Sequence, residues 1–301
     1  MARALVLPGF TLGYSIAQAL SIPVLDVVEK VFPDGELYLR IKQVEELKGE
    51  DALVVSTMYP AQLENFFKTL MMINASVNSG ASRVIVLVAY MPYARQDKVF
   101  LPGEPVSGCL VAKALKSAGA SALVTVDVHS TRVLECFEGD TVNIVVSDAL
   151  VEHALKYTVN PVVIAPDKGA LERAAYAARM FNLDFDYLEK QRDRVTGEVT
   201  YVPREVSVQG RDVVIVDDII STGGTIAEAS RTLLRSGARS VLVAATHGLL
   251  VGDAVNRISS AGVKRIVLGD TLLTRYFHPL VEYVDVSSRV SRTLRGVLGL
   301  P

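Results

Sequence analysis

Short apolar runs rich in Val and Ile recur along the chain, at residues 52–55, 84–89, 123–128, 162–165, 213–216, 241–245 and 265–268. They are continuous rather than alternating, the pattern of strands buried on both faces. Between them lie stretches of helical periodicity, among them residues 110–117, 171–180 and 226–236. Strands that alternate with helices predict parallel sheets joined by right-handed crossovers, hence an α/β fold.

Two segments match each other. Residues 113–130 read KALKSAGASALVTVDVHS and residues 231–248 read RTLLRSGARSVLVAATHG. Leu115 aligns with Leu233, Gly119 with Gly237, Ala120 with Ala238 and His129 with His247. Each copy is a helix, a Gly stop, a strand and a His at the strand's end. The repeat predicts two related doubly wound parallel-sheet domains, residues 1–145 and 146–301. The C-terminal segment can pack back on the first domain.

The chain has 301 residues, half of them hydrophobic, enough to bury two cores. A formal net charge of -2, from 31 basic and 33 acidic residues, argues against a nucleic-acid partner, which calls for a basic excess. No run reaches the roughly 18 apolar residues of a membrane span, so no membrane partner is expected. Cys109 and Cys136 stand outside any CxxC pair, so neither a disulfide framework nor structural zinc is expected. Two buried thiols in a reducing, cytoplasmic setting is the expectation.

The candidate chemistry is concentrated after residues 213–216. Asp217 and Asp218 follow that strand, then Ile219, Ile220 and a turn of Ser221, Thr222, Gly223, Gly224 and Thr225. Gly223 and Gly224 permit positive φ and remove side-chain bulk. Backbone N–H groups can then converge on an anion at a helix N-terminus. Thr225 with Glu228 fits a capping box that starts this helix. Two carboxylates repel a phosphate but suit a neighbouring diol. Phosphate and diol on one ligand describe a sugar phosphate. The matching stretch of the first repeat, residues 99–107, lacks the turn. Neither a Walker A sequence nor GxGxxG is present.

The loop resembles the phosphoribosyl-binding motif of the type I phosphoribosyltransferases. Three further segments, Phe32-Pro33-Asp34-Gly35-Glu36, Pro92-Tyr93-Ala94-Arg95-Gln96-Asp97-Lys98 and Val126-Asp127-Val128-His129-Ser130, extend the likeness over nearly the whole chain. Together they resemble the ribose-phosphate diphosphokinase family. The resemblance implies a phosphoribosyltransferase-type fold and transfer of the diphosphoryl group of Mg-ATP to the 1-hydroxyl of ribose 5-phosphate. It implies that Phe32, Asp34, Gly35, Glu36, Arg95, Gln96 and Asp97 bind ATP. Asp217, Asp218, Ser221, Thr222, Gly223, Gly224 and Thr225, with Arg192, would bind ribose 5-phosphate. His129 and Asp167 would lie by Mg2+, and Lys190 and Arg192 would be the catalytic pair on a mobile loop. It also implies a homo-oligomer with the ATP site at a subunit interface. Asp167 has an alternative role as a helix cap, and residues 188–197 as a solvated charge run before a hairpin at 198–202. A true phosphoribosyltransferase and a non-catalytic regulatory relative share parts of the same pattern.

Overall fold

The computed structural model describes residues 2–192, 199–203 and 206–300, with backbone alone for residues 190–192 and 199–203. The chain divides into two units, and each is described by itself. The first comprises Met1–Ile144, Thr271–Thr274 and Val286–Pro301; the second comprises Val145–Asp270 and Arg275–Asp285.

In the first unit the order is β1 (Ala2–Val6), α1 (Thr11–Leu20), β2 (Val24–Leu25), β3 (Val27–Val31), β4 (Leu37–Ile41), β5 (Asp51–Ser56), α2 (Gln62–Asn78), β6 (Arg83–Val88), α3 (Ser107–Ser117), β7 (Ala122–Val126), α4 (Arg132–Glu135) and β8 (Asp140–Ile144). Strands β2-β1-β5-β6-β7-β8 form one sheet, parallel throughout. Strands β3 and β4 stand apart as an antiparallel hairpin. The second unit continues with α5 (Ser147–Leu155), β9 (Pro161–Ala165), α6 (Leu171–Met180), β10 (Phe185–Arg192), β11 (Val199–Pro203), β12 (Asp212–Ile220), α7 (Gly224–Arg235), β13 (Ser240–Gly248), α8 (Ala254–Ser260), β14 (Val263–Gly269) and β15 (Val281–Val284). Its sheet runs β11-β10-β9-β12-β13-β14-β15, parallel except for β11. Helix α9 (Ser287–Leu298) belongs to the first unit, where Arg295 donates to the Ala19 carbonyl at 2.9 Å. These are two parallel-sheet α/β domains, and the continuous apolar runs form their central strands.

Burial explains the runs. Val213, Val214, Ile215 and Val216 are all fully buried. Val213 and Ile215 pack with Ile226, Ala229 and Leu233 of α7 and with Ile258 of α8. Val214 and Val216 point to the opposite face, which α5 and α6 cover. Each such side chain contributes roughly 2 kcal/mol through burial, so a polar residue cannot alternate into this strand without loss.

In each sheet the connections run outward in both directions from one pair of strands, β1/β5 in the first unit and β9/β12 in the second. Ligands of open α/β sheets bind beyond the carboxyl ends of such a pair. In the first unit that crevice is filled by the chain itself. Thr57, just after β5, donates to the Thr271 carbonyl at 2.8 Å, Leu273 donates its N–H to Tyr59, and Leu273 lies against Gly9, just after β1.

Two expectations need correction. Cys109 and Cys136 are half-buried and bonded to each other. They sit on α3 and at the end of α4, which pack side by side; their Cα atoms are 5.2 Å apart, within disulfide reach. Such a link, with 27 residues of separation, contributes about 3 kcal/mol by closing a loop in the unfolded chain. The capping box is also absent. Helix α7 starts at Gly224 behind Gly223, with no side-chain cap. Gly223 has φ 75°, and its geometry turns the chain into the helix without the Thr225 hydroxyl.

Candidate active site

The site residues of the second unit lie at the β9/β12 switch point. Strand β12 is longer than its apolar core: Asp217 pairs with Ala245, Ile219 with His247 and Ile220 with Gly248. The ladder continues through both acids because β13 is equally long, so the turn begins at Ser221. Three bonds hold that turn. Leu250 donates its N–H to the Ile220 carbonyl at 3.1 Å, Val251 to the Ser221 carbonyl at 3.0 Å, and Arg257 Nη1 to the Thr222 carbonyl at 2.8 Å. A Cβ at Gly223 would stand 3.0 Å from the Ala254 carbonyl and from Ile258. Only glycine therefore fits there, by φ and by space.

The carbonyls of the turn are thus engaged toward α8 and the segment before it. Among the described residues, no acceptor in the chain takes the N–H groups of Thr222, Gly223, Gly224 or Thr225. Four donors at the N-terminus of a 12-residue helix are an anion receptor. Thr222, Gly224 and Thr225 are exposed and Ser221 half-exposed, so an incoming anion can reach them. A small cavity of about 60 Å3, lined by Pro166, Thr225, Glu228 and Ala229, opens beside the turn.

Asp218 is buried and Asp217 half-buried. The Asp218 N–H donates to Asp217 Oδ1 at 2.9 Å. Burial and the adjacent Asp218 carboxylate push the Asp217 carboxyl well above the usual carboxylate range. Arg173 of α6 stands 3.7 Å from Asp218 Oδ1, nearly buried itself. Nothing in the sequence pattern singled out this arginine, one of two in α6 with Arg179.

Across the switch point, Asp167 follows β9. It caps the 3-10 turn Lys168–Ala170, with Oδ1 accepting from the N–H groups of Gly169 at 2.8 Å and Ala170 at 3.2 Å. The structural alternative for this residue is realised, and its carboxylate remains exposed. Lys190 and Arg192 fall in β10, where their backbones pair with Tyr201 and Val199. Their side chains lie outside the described residues, as do residues 193–198 entirely. The stretch read as a charged loop is, up to Arg192, a strand paired with β11.

In the first unit, Phe32, Asp34, Gly35 and Glu36 form the tip of the β3–β4 hairpin. The Phe32 N–H donates to the Glu36 carbonyl at 2.8 Å and the Glu36 N–H to Asp34 Oδ1 at 3.1 Å. Phe32 is exposed, meets Tyr38 edge-on and carries Lys30 Nζ 4.3 Å from its ring centre. It is an aromatic platform beside a cation. The residues from Arg95 to Asp97 lie elsewhere in the unit, after β6. Ser107 donates to Gln96 Oε1 at 3.0 Å, and the Gly108 N–H reaches the Gln96 carbonyl at 3.3 Å, so the start of α3 supports this loop. Ser130 donates to Asp97 Oδ2 at 2.7 Å. That bond brings the Arg95 loop and the His129 loop together. The Ser130 hydroxyl also holds the Asp97 carboxyl below its ordinary range. His129 is exposed past a left-handed kink at the buried Asp127, φ 42°. Its repeat partner His247 is buried inside β13.

An anion receptor after β12, beside paired acids on a parallel α/β sheet, defines a protein of the phosphoribosyltransferase fold class. The comparisons narrow this. The family model described as the N-terminal domain of ribose phosphate pyrophosphokinase matches residues 10–119, and the phosphoribosyl transferase domain matches residues 141–265. A ribose-phosphate pyrophosphokinase of Aeropyrum pernix is 40% identical over 275 residues, 90% of this chain and 88% of that protein. One from Methanopyrus kandleri is 39% identical over 97% of both. The crystal structure of phosphoribosylpyrophosphate synthetase from Mycobacterium smegmatis superposes with a TM-score of 0.88 at 28% identity, covering 99% of both chains. The chain belongs to the ribose-phosphate pyrophosphokinase family.

Proposed function

We propose that the chain transfers the diphosphoryl group of Mg-ATP to the 1-hydroxyl of ribose 5-phosphate, giving 5-phosphoribosyl 1-diphosphate and AMP. The observation that carries this reading is the set of four unpartnered N–H groups after β12. They suit the 5-phosphate, while Asp217 and Asp218 next to them suit the ribose hydroxyls. The hydroxyl oxygen forms its bond to the β-phosphorus of ATP as the bond from that phosphorus to the bridging oxygen breaks. AMP leaves with that oxygen and the hydroxyl proton is released.

Phosphoryl transfer depends mostly on positioning and on donors aimed at developing charge. Phe32 offers a face to the adenine, with Asp34, Gly35 and Glu36 at its edge. Arg95, Gln96 and Asp97 take the nucleotide, the guanidinium suiting phosphate oxygens. Lys190 and Arg192 would be the positive pair for the transferring oxygens, and Arg192 would also bind the sugar phosphate. The hairpin tip lies outside the main sheet of its own unit, which favours a homo-oligomer with the ATP site at a subunit interface. Among the described residues no three His, Cys, Asp or Glu side chains cluster as a metal cage. This fits Mg2+, which keeps most of its waters and takes one or two protein ligands besides phosphate oxygens. His129 in the first unit and Asp167 in the second, both exposed, are each residues that would lie by Mg2+, and the ion would neutralise phosphate charge. Among the described residues no helix is long and apolar enough to cross a membrane, and the charge balance favours neither nucleic acid nor membrane as a partner. We place the enzyme in the cytoplasm.

The test is incubation with Mg-ATP and ribose 5-phosphate followed by separation of nucleotides and sugar phosphates. AMP formed one-for-one with the diphosphate ester supports the reading. ADP, or AMP without the ester, overturns it.

A further inference from the structure

On the reading that the loop after β12 holds ribose 5-phosphate, Asp217 and Asp218 are the acids beside the pentose. Asp217 continues the row of Val213 and Ile215, which packs against α7. Asp218 continues the row of Val214 and Val216, toward the face covered by α6. The start of α7 is the anion receptor, so Asp217 shares its side of the sheet. Asp218 is buried, with Arg173 as a cation beside it and the Asp217 carboxyl next to its own.

We propose that Arg173 is a positioning residue for the pentose. Its ion pair with Asp218 fixes that carboxylate beside α6 and, through it, the acid pair that suits the sugar's hydroxyls. The Asp218 N–H to Asp217 Oδ1 bond links the two, because any shift of the Asp218 backbone moves the Asp217 carboxylate. A buried carboxylate that loses its cation must protonate or move. Either change is transmitted through one peptide to the sugar.

The test is a double-mutant cycle read by calorimetric titration of ribose 5-phosphate, together with steady-state kinetics. Arg173→Met and Asp218→Asn are each expected to weaken ribose 5-phosphate binding about tenfold, and the double variant by no more than either single, the signature of residues acting as one unit. KM for ATP should stay within about twofold in all three, and Arg173→Lys should recover most of the loss because it keeps the charge. If Arg173→Met alone fails to fold, the Asp218→Asn background gives the answer, since no unpaired buried charge remains there. In that background Arg173→Met should change binding by less than about twofold. Additive losses, a tenfold effect in the Asp218→Asn background, or unchanged binding in Arg173→Met would overturn the proposal. Failure of the wild type to bind ribose 5-phosphate at all would instead refute the underlying site assignment.

Discussion

Ser130 donates its hydroxyl to Asp97 at 2.7 Å, and this one bond ties the segment carrying His129 to the loop carrying Arg95 and Gln96. Ser130→Ala removes a hydrogen bond to a carboxylate, worth about 1.5 kcal/mol. The Asp97 carboxyl then relaxes upward toward its ordinary range but stays ionised at neutral pH, so the effect is positional. KM for ATP should rise about tenfold, with KM for ribose 5-phosphate unchanged. Steady-state kinetics with each substrate varied in turn checks this.

The two glycines of the turn should behave differently. Gly223 has φ 75° and no room for a methyl group beside Ala254 and Ile258. Gly224 has helical geometry, and its Cβ direction meets only the Thr222 hydroxyl at 4.0 Å. Gly223→Ala is expected to cost roughly 1–3 kcal/mol of stability through backbone strain and to lower kcat/KM for ribose 5-phosphate by about 100-fold or more. Gly224→Ala should stay within about 0.5 kcal/mol of wild type, as a change into open space. Thermal melts and kinetics on both variants decide it.

Lys190→Ala should lower kcat by at least about 100-fold, the usual effect of losing one transition-state donor. KM for both substrates should move little. Near-normal turnover would remove Lys190 from the mechanism.

Asp212 gives a pH signature outside the active site. Its buried carboxylate accepts from Arg239 Nε at 2.8 Å, Ser240 Oγ at 2.7 Å and the Val159 N–H at 2.8 Å. These partners, Arg239 foremost, hold it far below the usual carboxylate range. A depressed folded-state pKa contributes stability above the unfolded value near 4 and loses it as pH falls further. Asp212→Asn should therefore lower stability at pH 7 and flatten the loss of stability below pH ~4. Chemical denaturation at several pH values measures both.

Much of this was readable in the sequence, for identifiable reasons. The central strands announce themselves because residues such as Val213–Val216 are buried on both faces and cannot alternate. The phosphate turn is readable because Gly223 is there for a local backbone reason. Arg173 was not readable, since its significance is a tertiary contact with Asp218 from another element. Lys190 and Arg192 were expected on a loop from the family resemblance; their backbones pair with β11 instead. The Cys109–Cys136 link was missed because spacing says nothing about two helices that pack together. The Thr225–Glu228 capping box was read from residue types that fit, but the left-handed Gly223 already starts α7.

The N–H groups of Thr222, Gly223, Gly224 and Thr225 are expected to grip the 5-phosphate. Amide NMR of the isotopically labelled protein, titrated in parallel with ribose 5-phosphate and with unphosphorylated ribose, tests it most directly. The largest shifts with the phosphate ester should fall on these four amides, and ribose should leave them nearly still. Saturable ribose 5-phosphate binding with those four amides unmoved would contradict the account.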